Sequence, residues 1–333
     1  MKKILKKIYQ CKNITKKESK KLFQYIINNK FNEIQLSAIL IAMKIKEESS
    51  DEILGAVLSL KKTCKFFPKP KYLFYDIVGT GGKDLNIINI STATAFVLAS
   101  AGIKIIKHCN YNMSSKYGSA NILEMFNIPI NISPNKSKYL LDKYNICFLL
   151  AQKYYSNFKS IKNIRKNINT RTIYNILGPL LNPAKPNSIV IGVYHKNLIL
   201  PIITILKKLK YKNAIVINNN NIDEILLNGT NNVAELNNNI IKNYKLKSKD
   251  FGLKNYSKNK IKGGNINYNT KVIKHILKGT KKYIALENTV AANAAIFLRN
   301  LGFYNLKENT KYILNIINSG KAYQNLLSIA NSW

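Results

Sequence analysis

Arginine, cysteine, histidine and acid are all scarce in this chain. Of 53 basic residues in 333, three are arginine: Arg165, Arg171 and Arg299. Acidic residues number 16 and histidines 3. The four cysteines, Cys11, Cys64, Cys109 and Cys147, include no C-x-x-C pair and are too few to staple a chain this long. That excludes a disulfide scaffold and fits a reducing cytosol. His108, His195 and His275 lie far apart, so no structural zinc spacing arises. No apolar run approaches the ~18 residues of a membrane span. The stretch from Met1 to Tyr9 lacks the long apolar segment and small-residue cleavage site of a signal peptide. A cytoplasmic location without a membrane partner is the expectation.

Lysine, by contrast, is everywhere. The formal charge is +37 and the pI about 9.9, which first suggests a nucleic acid or an anionic membrane as partner. The lysines are spread along the whole chain, about one residue in seven is asparagine, and isoleucine is plentiful. These are residues of A/T-rich codons, so the charge has two readings: a base-biased genome, or selection for a polyanion. A hydrophobic share of 46% with 20 Tyr and 12 Phe excludes a fully disordered chain. The length suits one large domain or two modest ones.

The first ~65 residues read as helices. Thr15-Lys16-Lys17-Glu18 is a capping box, followed by Leu22, Ile26 and Ile27 at helical spacing. Glu33 to Ile45 places Leu36, Ile39, Leu40 and Met43 on one face. Ser50-Asp51-Glu52 opens a third helix, its carboxylates suited to the positive helix end. Phe67-Pro68-Lys69-Pro70 marks a linker. Beyond it, short apolar runs (Leu73–Val78, Ile103–Ile106, Cys147–Leu150, Ser188–Tyr194, Ala214–Ile217) alternate with helices near Thr92–Ala101 and Leu198–Leu209. This alternation predicts an α/β domain with a mostly parallel sheet. Leu246–Asn269 reads as a long loop, and helices return at Asn288–Asn300 and Thr310–Ile317.

Four constellations carry chemistry. In Asp76-Ile77-Val78-Gly79-Thr80-Gly81-Gly82 an apolar strand ends in three glycines within four residues. Such a loop lets main-chain amides approach a phosphate, or is simply a tight turn. Asn89-Ile90-Ser91-Thr92 then opens an Ala-rich helix whose free amides and hydroxyls suit an anion or a metal. Lys107-His108-Cys109-Asn110-Tyr111 and Ser114-Ser115-Lys116-Tyr117-Gly118-Ser119 follow a strand end, where open α/β sheets bind ligands. Asp223-Glu224 offers hard oxygens for Mg2+, or a helix start. Arg165 and Arg171 offer planar forks for a carboxylate in a chain that otherwise writes lysine, or are surface charges.

Together these motifs resemble anthranilate phosphoribosyltransferases. The resemblance continues in Arg171-Thr172-Ile173-Tyr174-Asn175-Ile176-Leu177-Gly178-Pro179-Leu180-Leu181-Asn182-Pro183, in Ile191-Gly192-Val193-Tyr194, in Asn293-Ala294-Ala295 and in Ser319-Gly320-Lys321-Ala322. It implies a small helical domain at 1–66, with a segment near 165–185 packing on it. It also implies an α/β domain at 72–333 of the nucleoside phosphorylase and phosphoribosyltransferase type, and a homodimer joined through the helical part. The implied reaction transfers the phosphoribosyl group of 5-phosphoribosyl 1-diphosphate to the amine of anthranilate, with release of diphosphate, in tryptophan synthesis. By motif, Gly79, Gly82, Lys83, Asn89, Ile90, Ser91, Thr92, Lys107, Ser115 and Ser119 hold the donor. Gly79, Asn110 and Arg165 hold anthranilate. Ser91, Asp223 and Glu224 bind Mg2+, and Lys107 supplies electrostatic stabilisation without a general base. Nucleic acid is not expected as a partner.

Four positions depart from the family pattern: Lys83 where an Asp is usual, Ile87 for Thr, Cys109 for Gly and Tyr111 for Arg. Two competing readings share the fold. One is a non-catalytic, nucleic-acid-binding relative, suggested by the charge. The other is a pyrimidine nucleoside phosphorylase, which has no need of Asn110 and Arg165 as anthranilate contacts.

Overall fold

The computed structural model describes residues 1–81, 87–111, 117–156 and 161–333. Four helices come first: α1 (Lys2–Tyr9), α2 (Lys16–Ile27), α3 (Glu33–Ile45) and α4 (Ser50–Leu60). Capping boxes at Thr15/Glu18, Asn32/Gln35 and Ser49/Glu52 start the last three. The third box begins at Ser49, one residue before the expected opening, because it is the Ser49 hydroxyl that accepts from the Glu52 N–H. Gly55 sets how closely α4 crosses α2: a Cβ there would lie 2.5 Å from the Lys16 carbonyl oxygen.

The remainder is a seven-stranded sheet flanked by helices. Its strands are β1 (Tyr75–Gly79), β2 (Ile105–Cys109), β3 (Ile146–Leu150), β4 (Ser188–Gly192), β5 (Asn213–Asn218), β6 (Asn231–Asn237) and β7 (Ile240–Leu246), in the order β3-β2-β1-β4-β5-β6-β7. The first five run parallel, and β6 and β7 are antiparallel additions. Neither β6 nor β7 is legible as an apolar run: Asn231-Asn232-Val233-Ala234-Glu235-Leu236-Asn237 is mostly polar, and β7 is the exposed edge. Their turn, Asn238-Asn239, has φ of 45° and 67°, the left-handed pair that a two-residue hairpin requires and that asparagine tolerates.

The helices after β1 are α5 (Ile90–Ser100), α6 (Ser119–Met125), α7 (Pro134–Tyr144), α8 (Ala151–Tyr154), α9 (Lys162–Ile168), α10 (Ile173–Leu180), α11 (Ile199–Lys208), α12 (Ile266–Leu277), α13 (Ile284–Asn300), α14 (Leu306–Asn318) and α15 (Lys321–Ala330). The segment expected to be one loop from 246 to 269 contains two short 3-10 turns and the start of α12. Phe251 and Ile261 anchor it in the core.

Strand residues alternate between two cores, as the two-residue period demands. Ile146, Phe148, Val190, Ile215 and Ile217 face α5 and α12–α15. Cys147, Leu149, Ile189, Ile191, Ala214 and Val216 face α10 and α11, in a core that runs on into α1–α4. In that second core α9 and α10 lie against α3 and α4.

Candidate active site

The C-terminal ends of the parallel strands converge on one acidic turn. Gly79 and Gly192 end β1 and β4 as register partners. Both are hollows filled by Asp223: a Cβ at 79 would sit 2.1 Å from its Oδ2, and a Cβ at 192 would sit 1.7 Å from its carbonyl oxygen. The main-chain N–H of Gly81 donates to Asp223 Oδ2 at 2.7 Å. The Thr80 N–H donates to the Gly192 carbonyl (3.0 Å), and its hydroxyl accepts from the Tyr194 N–H (2.9 Å). The glycine loop is thereby stitched to β4 on one side and to the acid on the other.

Glu224 reaches the helix that follows the loop. Its Oε1 accepts from the Ser91 N–H at 3.1 Å, in the first turn of α5, where Asn89 makes no side-chain cap of its own. A carboxylate from a distant loop thus serves the positive helix end. Asp223-Glu224 does not start a helix; it lies in the loop after the Asn220-Asn221 turn, where φ is 44° and 65°.

Lys107 lies beneath this network, 1% exposed. Its Nζ donates to the Ile77 carbonyl (2.5 Å) and to Ser91 Oγ (3.1 Å). Burial lowers its pKa, while Asp76, Glu224 and Asp223 oppose the shift. Asp76, fully buried, is pushed up to about 6 by burial despite Lys107 and Asn182. Asn182 donates to Asp76 Oδ2 and to the Ile106 carbonyl, both at 2.8 Å. Glu224 is raised to about 8, first by burial and then by Asp223. Adjacent carboxylates in a half-buried turn hold one proton between them in this state, and a cation would replace that proton and bridge the pair to a substrate anion.

A second wall closes beside the first. Asn89 Nδ2 donates to the Tyr117 carbonyl (3.3 Å), Ser119 begins α6, and the Ala120 N–H donates to the Asn110 carbonyl (3.3 Å). The Oδ1 atom of Asn110 and the hydroxyl of Thr92 are buried without a hydrogen bond among the described residues. The Ile90 side chain points into the core.

Arg165 sits on α9, its guanidinium 5.5 Å from the Tyr174 ring centre and its Nη2 donating to Asn175 Oδ1 (3.3 Å). Burial lowers its pKa to about 10. His108 Nδ1 meets the Gly178 carbonyl at 3.1 Å, so both groups lean on α10, three residues apart. Burial pushes His108 down to about 4, leaving it neutral. Arg171, in contrast, stacks on Tyr194 with its guanidinium 4.0 Å from the ring centre.

Hydrogen bonds therefore join Ser91 to Lys107 and Glu224, and Gly81 to Asp223, with Gly79 against Asp223. Asn89, Asn110 and Ser119 form the adjoining wall, and Arg165 is held on α9 by Tyr174 and Asn175. Gly82, Lys83 and Ser115 lie outside the described residues. Among the departures, Ile87 forms an isolated bridge with Lys262, Cys109 is buried and pushed up to about 12, and Tyr111 donates to Glu124 Oε1 (2.6 Å). The sequence did not reveal Gly192, Thr80, Asp76 or Asn182 as parts of the site. Asn182 and Gly192 stood inside quoted motifs, yet spacing alone cannot show which main-chain groups they meet.

A parallel sheet with a glycine loop, a helix N-terminus and paired carboxylates at its strand ends defines a class of transferase acting on anionic donors. The chain belongs to the glycosyl transferase family: the helical bundle domain of that family matches residues 2–64, and its a/b domain matches residues 71–323. Within it the chain falls among the anthranilate phosphoribosyltransferases. It is 50% identical to the anthranilate phosphoribosyltransferase of Buchnera aphidicola subsp. Acyrthosiphon pisum (strain Tuc7), over 99% of this chain and 96% of that protein. The enzyme of Buchnera aphidicola subsp. Baizongia pistaciae is also 50% identical, over 99% of each. The crystal structure of anthranilate phosphoribosyltransferase from Thermus thermophilus superposes with a TM-score of 0.90 at 26% identity, covering 98% of both chains. The fold is also that of the Saccharomyces cerevisiae enzyme in complex with PRPP and Mg (TM-score 0.87, 22% identity, covering 96% of this chain and 94% of that one).

Proposed function

We infer that the chain transfers the phosphoribosyl group of 5-phosphoribosyl 1-diphosphate to the amine of anthranilate, releasing diphosphate, in tryptophan synthesis. The observation that carries this reading is the acidic turn bonded at once to the glycine loop, through Gly81, and to the first turn of α5, through Ser91. That contact supports reading the acidic turn, the glycine loop and the start of α5 as one donor and metal site.

Asp223, Glu224 and the Ser91 hydroxyl are hard oxygen donors and fit Mg2+. These three side chains leave coordination positions that diphosphate and water would fill. Asp223, Glu224 and Ser91 would hold the ion, which would supply positive charge to offset that of the departing diphosphate. The chain's own residues do the rest. The glycine loop and the positive end of α5 attract the phosphates. Lys107 holds Ser91 and contributes positive potential from below, which strengthens as the leaving group gains charge. Asn110 and Arg165 orient anthranilate, the guanidinium toward its carboxylate. An aromatic amine is neutral at pH 7, so positioning suffices and no general base is assigned. Gly82, Lys83, Asn89, Ile90, Thr92, Ser115 and Ser119 complete the donor site in this scheme.

We further propose a homodimer through the helical domain. Ile34 (81% exposed) and Ile45 (69%) stand on its surface, beside a groove of about 300 Å³ lined by Ile26, Phe31, Leu36, Ile161 and Ile164. Sedimentation tests this. The four free thiols among the described residues fit a cytoplasmic location, and no described helix is long and apolar enough to cross a membrane.

Loss of anthranilate fluorescence on mixing with the donor and Mg2+ tests the reaction. Wild type is expected to consume anthranilate and Glu224→Ala to do so at least a hundredfold more slowly, in line with the loss of a preorganised charge-stabilising group. Equal rates would overturn the assignment.

A further inference from the structure

The turn carrying Asp223 and Glu224 continues into main chain that is neither helix nor strand, yet Ile225 and Leu226 are 0% exposed. Buried peptide groups must find partners, and here side-chain carboxamides provide them. Asn293, 0% exposed on α13, accepts from the Ile225 N–H through Oδ1 (3.0 Å) and donates through Nδ2 to the Ile225 carbonyl (2.9 Å) and the Thr289 carbonyl (2.8 Å). Asn231, at the start of β6, does the same for Leu226, accepting from its N–H (2.8 Å) and donating to its carbonyl (2.9 Å). Asn231 is held in turn by Asn219 (3.0 Å) and the Leu246 carbonyl (3.2 Å). Two consecutive residues are each bonded at both N–H and C=O, as a neighbouring strand would bond one residue of an antiparallel pair.

The two acids just upstream reach two different elements, Asp223 to the Gly81 N–H and Glu224 to the Ser91 N–H, and keep both contacts only if the main chain beneath them cannot yield. We propose that Asn293, supported by Asn231, is a positioning residue for the acidic pair. It touches neither substrate, and it acts by fixing the main chain from which Asp223 and Glu224 face Gly81 and Ser91. The proposal rests on the reading of that pair as the Mg2+–diphosphate site. The chemistry is specific to asparagine. A carboxamide presents an acceptor and two donor hydrogens at once, matching the Ile225 N–H and the Ile225 and Thr289 carbonyls; a hydroxyl has one hydrogen to give, aspartate would set an oxygen against the two carbonyls, and glutamine is a methylene too long.

The test is calorimetric titration of Mg2+ with the donor into wild type, Asn293→Ala, Asn293→Asp and Asn309→Ala, alongside kinetics and thermal midpoints. Asn309 is the control: a buried carboxamide on α14 that bonds the Ala295 (3.3 Å) and Phe303 (2.6 Å) carbonyls away from the site. Both Asn293 variants are expected to lose about tenfold in Mg2+-dependent donor binding, and their Mg2+ half-saturation in turnover is expected to rise about as much, the range seen for outer-shell partners of metal ligands. Their KM for anthranilate should stay near wild type. Asn309→Ala should lower the thermal midpoint comparably and leave Mg2+ dependence unchanged. Asn293 variants with wild-type Mg2+ dependence, or with a loss matched by Asn309→Ala, overturn the proposal. If Asn293→Ala does not fold, Asn293→Asp decides, and if neither folds, the same readout on Asn231→Asp does. Wild type that binds Mg2+ and donor without consuming anthranilate defeats the reaction inferred above and leaves the clamp standing.

Discussion

Glu48 and Glu52 lie four residues apart at the α3–α4 junction and show how surroundings decide what a withdrawn carboxylate does. Glu52, 0% exposed, accepts from the Ile14 N–H (2.9 Å), the Ser49 N–H (2.8 Å) and Lys46 Nζ (2.5 Å). Glu52→Ala removes the ionic partner of the equally buried Lys46 side chain, which keeps Asn13 Oδ1 (3.0 Å) and the Glu47 carbonyl (3.1 Å), and is expected to cost about 3 kcal/mol, read from urea unfolding. Glu48 has a buried Oε1 with no hydrogen bond among the described residues, and burial raises its pKa from 4.5 to about 7. Between those values the folded chain holds a proton that the unfolded chain has released, so stability falls as pH rises through that window. Thermal midpoints measured from about pH 5 to pH 8 should therefore decline, and Glu48→Gln should flatten the decline. Asp76, raised to about 6, adds to the slope with the same sign. At Arg165 the expectation concerns binding. Arg165→Lys loses the planar fork, and the KM for anthranilate should rise about tenfold or more, as for one hydrogen bond to a charged group, with a smaller change in kcat. Arg165 was legible because lysine replaces arginine almost everywhere else. Arg299 was not: its partners Glu235 (2.9 Å), Tyr244 (3.0 Å) and the Tyr304 carbonyl (3.2 Å) come from three separate segments.

Among the elements, those with strong local signals matched the sequence reading most closely. A capping box placed the start of α2, the apolar face of α3 gave its bounds, and the parallel strands fell within a few residues of the apolar runs. The hairpin β6–β7 was missed because its stability comes from pairing with β5 and from Arg299, neither of which is a local property. Short α9 and α10 were missed as helices for a similar reason. α10 carries Pro179 inside it, and its apolar face is defined by α3 and α4 rather than by its own period. Helix crossing is equally invisible in one dimension. Gly55 reads as an ordinary interruption of α4, yet a side chain there would strike the Lys16 carbonyl and Ser19 Cβ (2.7 Å). Gly55→Val should destabilise the chain by about 2 kcal/mol or more, the cost of overpacking against main chain, measured by denaturant midpoint with Gly55→Ala as an intermediate case.

At the scale of the whole molecule, the core on one sheet face runs without a break from α1–α4 through α9 and α10 to β4 and β5. A fragment of residues 1–70 would expose the face that Ile164, Ile173, Ile176 and Leu177 cover. It is expected to bind a hydrophobic dye and to self-associate, which fluorescence and sedimentation would show. The +37 charge, which first pointed to a polyanion, is carried by a chain whose family acts on a small anionic donor, and the comparisons give the nucleic-acid and phosphorylase readings no support. The asparagine that accompanies this lysine is not only surface filler. It clamps the acidic turn, ties Asp76 to β2 and bends two tight turns, Asn220-Asn221 and Asn238-Asn239. Those turns set a chemical clock. An asparagine side chain is open to attack by the next main-chain nitrogen, which closes a succinimide ring that reopens as aspartate or isoaspartate, one of the reactions that make asparagine thermolabile. A side chain on the following residue hinders that closure, so an Asn-Asn turn ages more slowly than an Asn-Gly pair such as Asn228-Gly229. When closure does occur at Asn220, isoaspartate inserts an extra carbon into the main chain three residues ahead of Asp223. The molecule then grows old one negative charge at a time, and at this turn the change falls just ahead of the acidic pair.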